Sequence, residues 1–302
     1  MSFIDLHTHT TASDGELKPA VLIEQARQCG LQVLAITDHD SVDGIDEVFN
    51  DPPADVILIP GVEISCNWER MGIHVVGLNF CLNNTDLRAW LSQQRERRRQ
   101  RAVAIGELLL QRGISGAYAG ALTFSGNVPP GRIHFADFLV HAGEVPDRRR
   151  AFKRYLSDER IRTVNRAWPS MESAIEVIQS AGGSAILAHP GRYRTTRTGL
   201  RRLVSAFEQA GGDAIELHNG INAETTNLQL LSLAHEFGLY LSVGSDFHRP
   251  GQPWAALGNV PGVERERAIW SCWGDIGSPA ETGYSPATRL MLGREYGKAS
   301  SQ

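Results

Sequence analysis

The chain has 302 residues, of which 42% are hydrophobic and 21% are charged, a balance typical of a folded globular protein. No run approaches the ~18 consecutive apolar residues of a membrane span, and the polar first residues show no signal-peptide pattern. We therefore expect no membrane partner and a cytoplasmic protein, in which the four scattered cysteines are reduced thiols.

The net charge of −4 conceals an uneven distribution. Residues 86–166 contain 16 Lys and Arg against 8 Asp and Glu, whereas the remainder of the chain contains 14 against 26. An acidic body that carries a basic segment indicates an anionic ligand bound between the two. The alternative is a solvated helical surface, and composition alone leaves both interpretations open.

Seven short apolar runs have the length and the Val, Ile and Leu content of strands that are buried on both faces. In chain order they are 3–6, 33–37, 56–59 continuing into 61–64, 74–80, 185–188, 214–217 and 239–243. Helical periodicity that ends at a glycine is found at 18–29, 170–181 and 223–237. This alternation of strands and helices predicts an α/β sheet or barrel.

Residues 86–168 interrupt that alternation, because they are rich in Arg, Ala and Leu and poor in β-branched residues. We interpret them as a basic, mostly helical insertion domain for substrate recognition. Residues 1–85 and 169–302 would then form one discontinuous barrel, whose tail from about 262 onward is expected to be partly irregular.

Histidines and carboxylates follow several of the predicted strands. The motifs are HTHTTASDG at 7–15, TDHD at 37–40, GVEIS at 61–65, His74, AHPGR at 188–192 and GSDFH at 244–248. Alternate residues of a strand share a face, so His7 and His9 can bind one metal ion together. If the strands that contain Glu63 and His74 form a hairpin, its midpoint falls near Trp68 and Glu69, and Glu63 and His74 lie roughly opposite each other. Each histidine alone is more often structural, but strand ends are where α/β barrels build active sites, and the joint placement indicates a metal centre.

These motifs together span residues 5–248 and resemble those of the PHP (polymerase and histidinol phosphatase) family. The resemblance implies a distorted (β/α)7 TIM-like barrel that binds up to three divalent metal ions. Carried over position by position, it implies that His7, His9 and Asp246 hold one ion. It further implies that Glu63 bridges to a second ion completed by His74 and His189, and that Asp14, His39 and His248 hold a third.

A histidine is common in other PHP branches at the position of Asp14, which therefore indicates a different branch. Imidazole and carboxylate ligands without thiolate suit Mn²⁺, Fe²⁺ or Zn²⁺, and we expect three Mn²⁺ ions with the other two metals as alternatives. Such a cluster lowers the pKa of a bridging water, so the expected nucleophile is a metal-bridging hydroxide.

The group that protonates the leaving oxygen is not fixed by the sequence. Asp14, His248 and His134 are the candidates for a catalytic acid, and a surface histidine is the simpler interpretation of His134. Its neighbour Arg132 favours a phosphate contact for both residues.

A second phosphate is predicted to lie on the basic segment. Arg98 and Arg101 share one face of a predicted helix, and with Arg132, His134 and Arg192 they could form forked contacts to phosphate. The expected ligand is a small nucleotide with two phosphates, or short RNA. Aromatic residues make up only 7% of the chain, which argues against an extended base-stacking platform.

A PHP barrel with a helical insertion resembles the branch of 3′,5′-nucleoside bisphosphate phosphatases, whose relatives include 5′→3′ exoribonucleases of short RNA. That resemblance implies hydrolysis of the 3′-phosphate to leave a 5′-monophosphate. The alternatives are a histidinol-phosphate phosphatase and a non-catalytic regulatory PHP module. The presence of all nine ligand positions argues against the regulatory module, and no feature indicates an obligate protein partner.

Overall fold

The computed structural model describes residues 3–51, 55–157, 159–164, 167–217 and 223–273. The strands in these ranges are β1 (Ile4–Asp5), β2 (Val33–Ile36), β3 (Ile57–Trp68), β4 (Met71–Leu78), β5 (Ser184–Leu187), β6 (Ala214–Leu217) and β7 (Tyr240–Val243). The α-helices are α1 (Pro19–Gln28), α2 (Asp43–Phe49), α3 (Thr85–Leu110), α4 (Ala117–Ser125), α5 (Arg132–His141), α6 (Arg148–Ala151), α7 (Glu159–Val164), α8 (Met171–Ser180), α9 (Arg197–Gln209) and α10 (Ala223–Glu236). None of the described helices is long and apolar enough to cross a membrane.

The seven strands form one sheet in the order of the chain. Neighbouring strands are parallel except that β4 is antiparallel to both β3 and β5. The segments that follow β1 and β7 also meet: the Leu6 N–H donates to the Val243 carbonyl at 3.1 Å, and the Asp246 N–H donates to the His7 carbonyl at 2.9 Å. The sheet is therefore a nearly closed barrel, and the predicted α/β barrel fold is confirmed.

The barrel strands and helices agree with the apolar pattern of the sequence. All four residues of β2, β5 and β6 are buried, as expected of strands covered on both faces. Helices α1, α8 and α10 coincide with the three predicted helices within two residues at each end. Pro19 occupies the first turn of α1, and the Ser170 side chain accepts a hydrogen bond from the Ser173 N–H at the start of α8.

The β3–β4 hairpin has a register that differs from the expected one. Glu63 and His74 were expected to lie roughly opposite each other, but His74 pairs with Ser65, and Glu63 pairs with Val76. The hairpin turns at Glu69 and Arg70, one residue beyond the expected midpoint, and the φ of Glu69 is +52°. Glu63 and His74 become diagonal neighbours on the same face, so their side chains still meet.

The inserted helices α3–α7, with a π-helix at Phe152–Leu156, bury an apolar cluster of their own. Ala102, Ile105 and Leu109 on the second half of α3 belong to this cluster, whereas Leu87 and Leu91 on the first half belong to the barrel core. The predicted helical character of this segment is confirmed. Its treatment as a separate domain, with bounds at 86 and 168, is our proposal.

Beyond β7 the chain forms short 3₁₀ turns at Pro253–Ala255, Arg265–Arg267 and Ile269–Cys272. Ala268 pairs with Leu241, and Ile269 and Trp270 are buried in the barrel core. The irregular tail expected from 262 onward is thus described as far as residue 273, and the rest of it lies outside the described residues.

Candidate metal centre and substrate cavity

All nine predicted ligands converge at one end of the barrel, around the carboxylate of Glu63. One Glu63 oxygen, Oε2, lies 3.4 Å from His7 Nε2, 3.2 Å from His9 Nε2 and 2.9 Å from His39 Nδ1. The other, Oε1, lies 2.7 Å from His74 Nδ1 and 2.8 Å from His189 Nε2. A single buried carboxylate therefore touches five imidazoles, which agrees with the bridging position expected for it.

The remaining carboxylates, those of Asp246 and Asp14, also lie against histidines of the set. Asp246 Oδ1 is 3.5 Å from His7 Nε2 and 3.3 Å from His9 Nε2, and Asp14 Oδ1 is 3.3 Å from His248 Nε2. Three overlapping groups have ligand atoms within 4.8 Å of one another: His7, His9, Glu63 and Asp246; His9, Asp14, His39 and His248; and His39, Glu63 and His74.

Several of the ligand atoms lack a hydrogen-bond partner, although they are buried. The seven buried side-chain atoms without a partner among the described residues are His7 Nε2, His9 Nε2, Asp14 Oδ1, His39 Nδ1, Glu63 Oε2, His189 Nδ1 and Ser245 Oγ. Six of the seven belong to the predicted ligand set. Buried polar atoms are normally satisfied, and a cluster of orphaned nitrogen and oxygen atoms that face one another fits divalent metal ions.

Glu216 orients two of these ligands and was not identified from the sequence. It lies on β6 with 2% exposure, and its carboxylate is 2.9 Å from His7 Nδ1 and accepts the His189 N–H at 2.6 Å. A carboxylate only accepts, so His7 donates from Nδ1, and its Nε2, which faces Glu63 and Asp246, is the nitrogen available to a metal ion. The sequence feature that could have identified Glu216 is an acidic residue within the apolar run 214–217.

Asp38 and Asp5 are buried carboxylates that hold the loops of the same site. Neither was predicted from the sequence to have a role. Asp38 accepts hydrogen bonds from the Thr10 backbone at 2.8 Å and the Ser13 hydroxyl at 2.6 Å. Asp5 accepts from the Ser245 and Gly258 N–H groups, both at 2.9 Å. These contacts fix the loops that carry His9, Asp14 and Asp246.

Two predicted ligands have an unusual backbone conformation. His189 has a φ of +31° and Asp246 a φ of +54°, in the left-handed region that residues with a Cβ seldom occupy. Next to Asp246, a Cβ added to Gly244 would lie 2.2 Å from the His7 Cβ and 2.5 Å from Glu216 Oε1. Such strain persists at functional sites where the surrounding structure holds it.

The charges of the cluster are strongly coupled. Burial alone would raise the pKa of Glu63, but the imidazoles of His39, His74 and His7 hold it well below its usual range. Burial lowers the pKa of His39 to about 4, despite the carboxylates of Glu63 and Asp14. Burial opposes protonation of His248 as well, but Asp14 and Asp246 raise its pKa to about 10. In the metal-free protein, Glu63 is therefore an anion and His39 a neutral imidazole.

A cavity of about 350 Å³ opens over the metal centre. Asp14, His39, His74, Asp246 and His248 form its floor. Four of the five predicted substrate residues line its wall: Arg98, Arg101, Arg132 and Arg192. Arg148 and Arg249 also line it and were not predicted.

The arginines of α3 are fixed by their neighbours. Arg98 Nε donates to Asp40 Oδ2 at 2.5 Å, and its terminal nitrogen donates to the Ser65 hydroxyl at 2.9 Å. The guanidinium carbons of Arg98 and Arg101 lie 5.5 and 5.8 Å from the Trp168 ring. Burial, then the charges of Arg132 and Arg98, lowers the pKa of Arg101 to about 9. The positive charges of Arg98, Arg101 and Arg132 repel one another. An anion bound at this wall would relieve that repulsion.

His134 is placed differently from its prediction. Its side chain is 7% exposed and is not among the residues that line the cavity. Its Nδ1 accepts the Gly131 N–H at 2.9 Å at the start of α5, and burial lowers its pKa. This geometry gives His134 a helix-capping contact, while a role in substrate binding or proton transfer stays a prediction.

Comparison with known proteins agrees with this site. Residues 5–100 match the PHP domain. The chain is 43% identical to a 5′-3′ exoribonuclease of Haemophilus influenzae, over 88% of this chain and 97% of that protein. The chain belongs to the PHP family. PHP proteins of this kind are metal-dependent phosphoesterases, so the chain is a hydrolase with a divalent metal cofactor.

One further relative and one solved structure are similar over almost the whole chain. A 3′,5′-nucleoside bisphosphate phosphatase of Chromobacterium violaceum is 39% identical, over 89% of this chain and 96% of that protein. A solved structure described as an amidohydrolase of the same organism, with bound sulfate and no metal, superposes with a TM-score of 0.84 at 36% identity, covering 93% of this chain and all of that one. The insertion is therefore included in the similarity, together with the barrel.

Proposed function

We propose that this PHP protein hydrolyses the 3′-phosphate of nucleoside 3′,5′-bisphosphates, and that the same site removes nucleotides from the 5′ end of short RNA. The observation that carries the proposal is one cavity with two kinds of wall: a carboxylate–imidazole cluster at the floor and a cluster of arginines beside it. A substrate with two phosphates can contact both. The names of two relatives, a bisphosphate phosphatase and an exoribonuclease, support the same substrate class.

We assign the metal ions to the three groups of ligands. His7, His9, Asp246 and the bridging Glu63 would hold one ion; Glu63, His74 and His189 a second; and Asp14, His39 and His248 a third. His189 reaches Glu63 but belongs to none of the three compact groups, so the second site is the least complete. Three Mn²⁺ ions are our assignment, with Fe²⁺ or Zn²⁺ as alternatives. When bound there, divalent ions supply an activated water and neutralise phosphoryl oxygens.

The arginine wall would recognise the 5′-phosphate. Arg98 is already oriented by Asp40 and Ser65, and Arg101 and Arg132 are close enough to repel each other. Forked guanidinium contacts to phosphate are strong and directional. Held at this wall, the 5′-phosphate would leave the 3′-phosphorus over the floor of the cavity, which selects the bond that is broken.

We propose His248 as the acid for the leaving oxygen in the state in which the third ion is not bound and its Nε2 carries a proton. It lies on the cavity floor, its Nδ1–H donates to the Asp246 carbonyl at 2.9 Å, and its Nε2 faces Asp14. Asp14 is the weaker candidate, because His39 and His248 hold its pKa well below its usual range in spite of burial.

Turnover of adenosine 3′,5′-bisphosphate and of histidinol phosphate, measured on the same Mn²⁺-loaded protein, tests the proposal. The expected result is release of inorganic phosphate and adenosine 5′-monophosphate, with a much larger kcat/KM than for histidinol phosphate. A preference for histidinol phosphate would reject the substrate assignment. No turnover of either, or of p-nitrophenyl phosphate, would favour a non-catalytic module.

A further inference from the structure

Three aromatic side chains line the cavity, and they differ in what covers their rings. The Trp168 ring lies under the guanidinium groups of Arg98 and Arg101, and the Phe152 ring lies 5.9 Å from the Arg132 guanidinium. The third, Trp254, has no ring, cation or hydrogen-bond partner in the part of the chain that the structure describes. It therefore offers an uncovered indole face at the wall of a polar cavity.

Trp254 is also the most exposed tryptophan of the chain. All six tryptophans lie in described residues; Trp254 is 54% exposed, whereas the other five are buried or half-buried. Exposure of the apolar indole ring to water is unfavourable. A ligand that covers the ring therefore gains binding free energy.

The loop that carries Trp254 is fixed rather than free. Pro253 begins a short 3₁₀ turn, its carbonyl accepts a hydrogen bond from the Asn259 side chain at 2.9 Å, and Ala255 is 4% exposed. The Gly258 N–H donates to Asp5, whose carboxylate also holds Ser245 beside the ligand Asp246. The indole is thus tied to the frame of the metal centre, so a group stacked on it has a defined position relative to the ions.

We propose that Trp254 is the base-stacking residue of this site and positions the nucleobase of the substrate. The proposal rests on the proposed function, since it assumes a nucleotide whose phosphates occupy the cavity floor and the arginine wall. The base is then the remaining part of the ligand, and an uncovered aromatic ring is the partner that any of the four bases can use. A single stack without hydrogen-bonding partners gives affinity for nucleosides with little base selectivity.

The steady-state test compares a substrate with a base and one without. Trp254→Ala is expected to raise the KM for adenosine 3′,5′-bisphosphate by about 5- to 100-fold, the loss of one base–aromatic stack, with kcat unchanged. The KM for the abasic sugar 3,5-bisphosphate should stay at its original value. Trp254→Phe should retain most of the affinity, because it keeps a ring. Leu228→Ala, which alters an exposed apolar residue on α10 that does not line the cavity, is the control.

A binding test does not depend on turnover. Adenosine 5′-monophosphate should quench tryptophan fluorescence of the wild-type protein, and the quenching should be lost in Trp254→Phe although binding persists by calorimetry. Unchanged quenching in that variant would overturn the proposal, as would an equal change of KM for the adenosine and the abasic substrates, or no change for either. If neither substrate is hydrolysed by the wild type, the proposed function fails, and the fluorescence titration still decides the role of Trp254.

Discussion

The two sides of the cavity, the floor of metal ligands on the barrel and the arginine wall on the insertion, are built on different principles. On the barrel side, the ligands stand on strand ends and are held by buried carboxylates, as Glu216 holds His7 at 2.9 Å. On the insertion side, the arginines come from helices with their own apolar cluster, and Arg98, Arg101 and Arg132 are held near one another. Rigidly placed metal ligands support hydrolysis, a reaction that is common to many phosphoesters. Clustered arginines instead select substrates that carry a second anionic group.

This difference predicts that changes on the barrel side affect all phosphoesters alike, and that changes on the insertion side affect only those with a second phosphate. Kinetics on two substrates can therefore separate the walls. On the proposed function, adenosine 3′,5′-bisphosphate would contact both the floor and the arginine wall, and p-nitrophenyl phosphate would contact the floor alone.

The largest effect is expected for Glu63→Gln. The change removes the negative charge that five imidazoles share, so metal affinity and turnover should both collapse, with kcat lower by at least about 10³-fold on either substrate. Steady-state kinetics and metal content by mass spectrometry measure this. Glu24→Gln, at an exposed ion pair with Arg27, is the matched control and should be silent. Retained metal with retained activity would remove Glu63 from the centre.

A smaller loss on both substrates is expected for Glu216→Ala. Without this carboxylate, His7 loses the partner that fixes its tautomer, and residues in such supporting positions typically contribute about 10- to 100-fold to metal affinity or activity. A titration of the metal-free protein with Mn²⁺, followed by activity, measures the change. An effect confined to the bisphosphate would place Glu216 in substrate recognition instead.

A selective loss is expected for Arg132→Ala. Removing one charge-assisted contact should lower kcat/KM for the bisphosphate by roughly 10- to 100-fold, since such hydrogen bonds contribute about 1.5–3 kcal/mol. Turnover of p-nitrophenyl phosphate should not change. Arg99→Ala, which removes an exposed cation paired with Glu96 on α3, is the control. Equal losses on the two substrates would contradict a 5′-phosphate contact.

The smallest effect is expected for His134→Ala. Loss of the acceptor for the Gly131 N–H should cost about 1 kcal/mol of unfolding free energy and leave kcat essentially unchanged. Urea unfolding and kinetics measure the two quantities, with His141→Ala, at the exposed end of the same helix, as the control. A large fall in kcat with unchanged stability would support the catalytic role that the sequence suggested.

The barrel was accessible from the sequence because its signals are local. Buried strands appear as apolar runs, and most of the ligand motifs stand directly after one, so the barrel fold and the candidate ligands could both be predicted. The exact β3–β4 register could not, since it depends on where the chain turns at Glu69 with a positive φ. Glu63 and His74 still meet as diagonal neighbours, so their predicted proximity holds in spite of the different register.

The supporting residues and the cavity wall were harder to predict, because their roles arise from contacts between distant segments. Glu216 reaches His7 across 209 positions of the chain, and Arg148 and Arg249 join the wall from two different elements. His134 shows the reverse case. Arg132 lines the cavity, but residues two apart on a helix do not share a face, and the ring of His134 instead accepts the Gly131 N–H at the helix start.

A crystal structure of the Mn²⁺-loaded protein with adenosine 5′-monophosphate would test the central claim most directly. The two-wall account predicts that the 5′-phosphate contacts Arg98, Arg101 or Arg132 and lies away from the ions, with the 3′-hydroxyl directed to the floor near His248. A 5′-phosphate bound to the ions, with Arg98 still turned to Asp40 and Ser65 and with none of the three arginines in contact with the nucleotide, would contradict it.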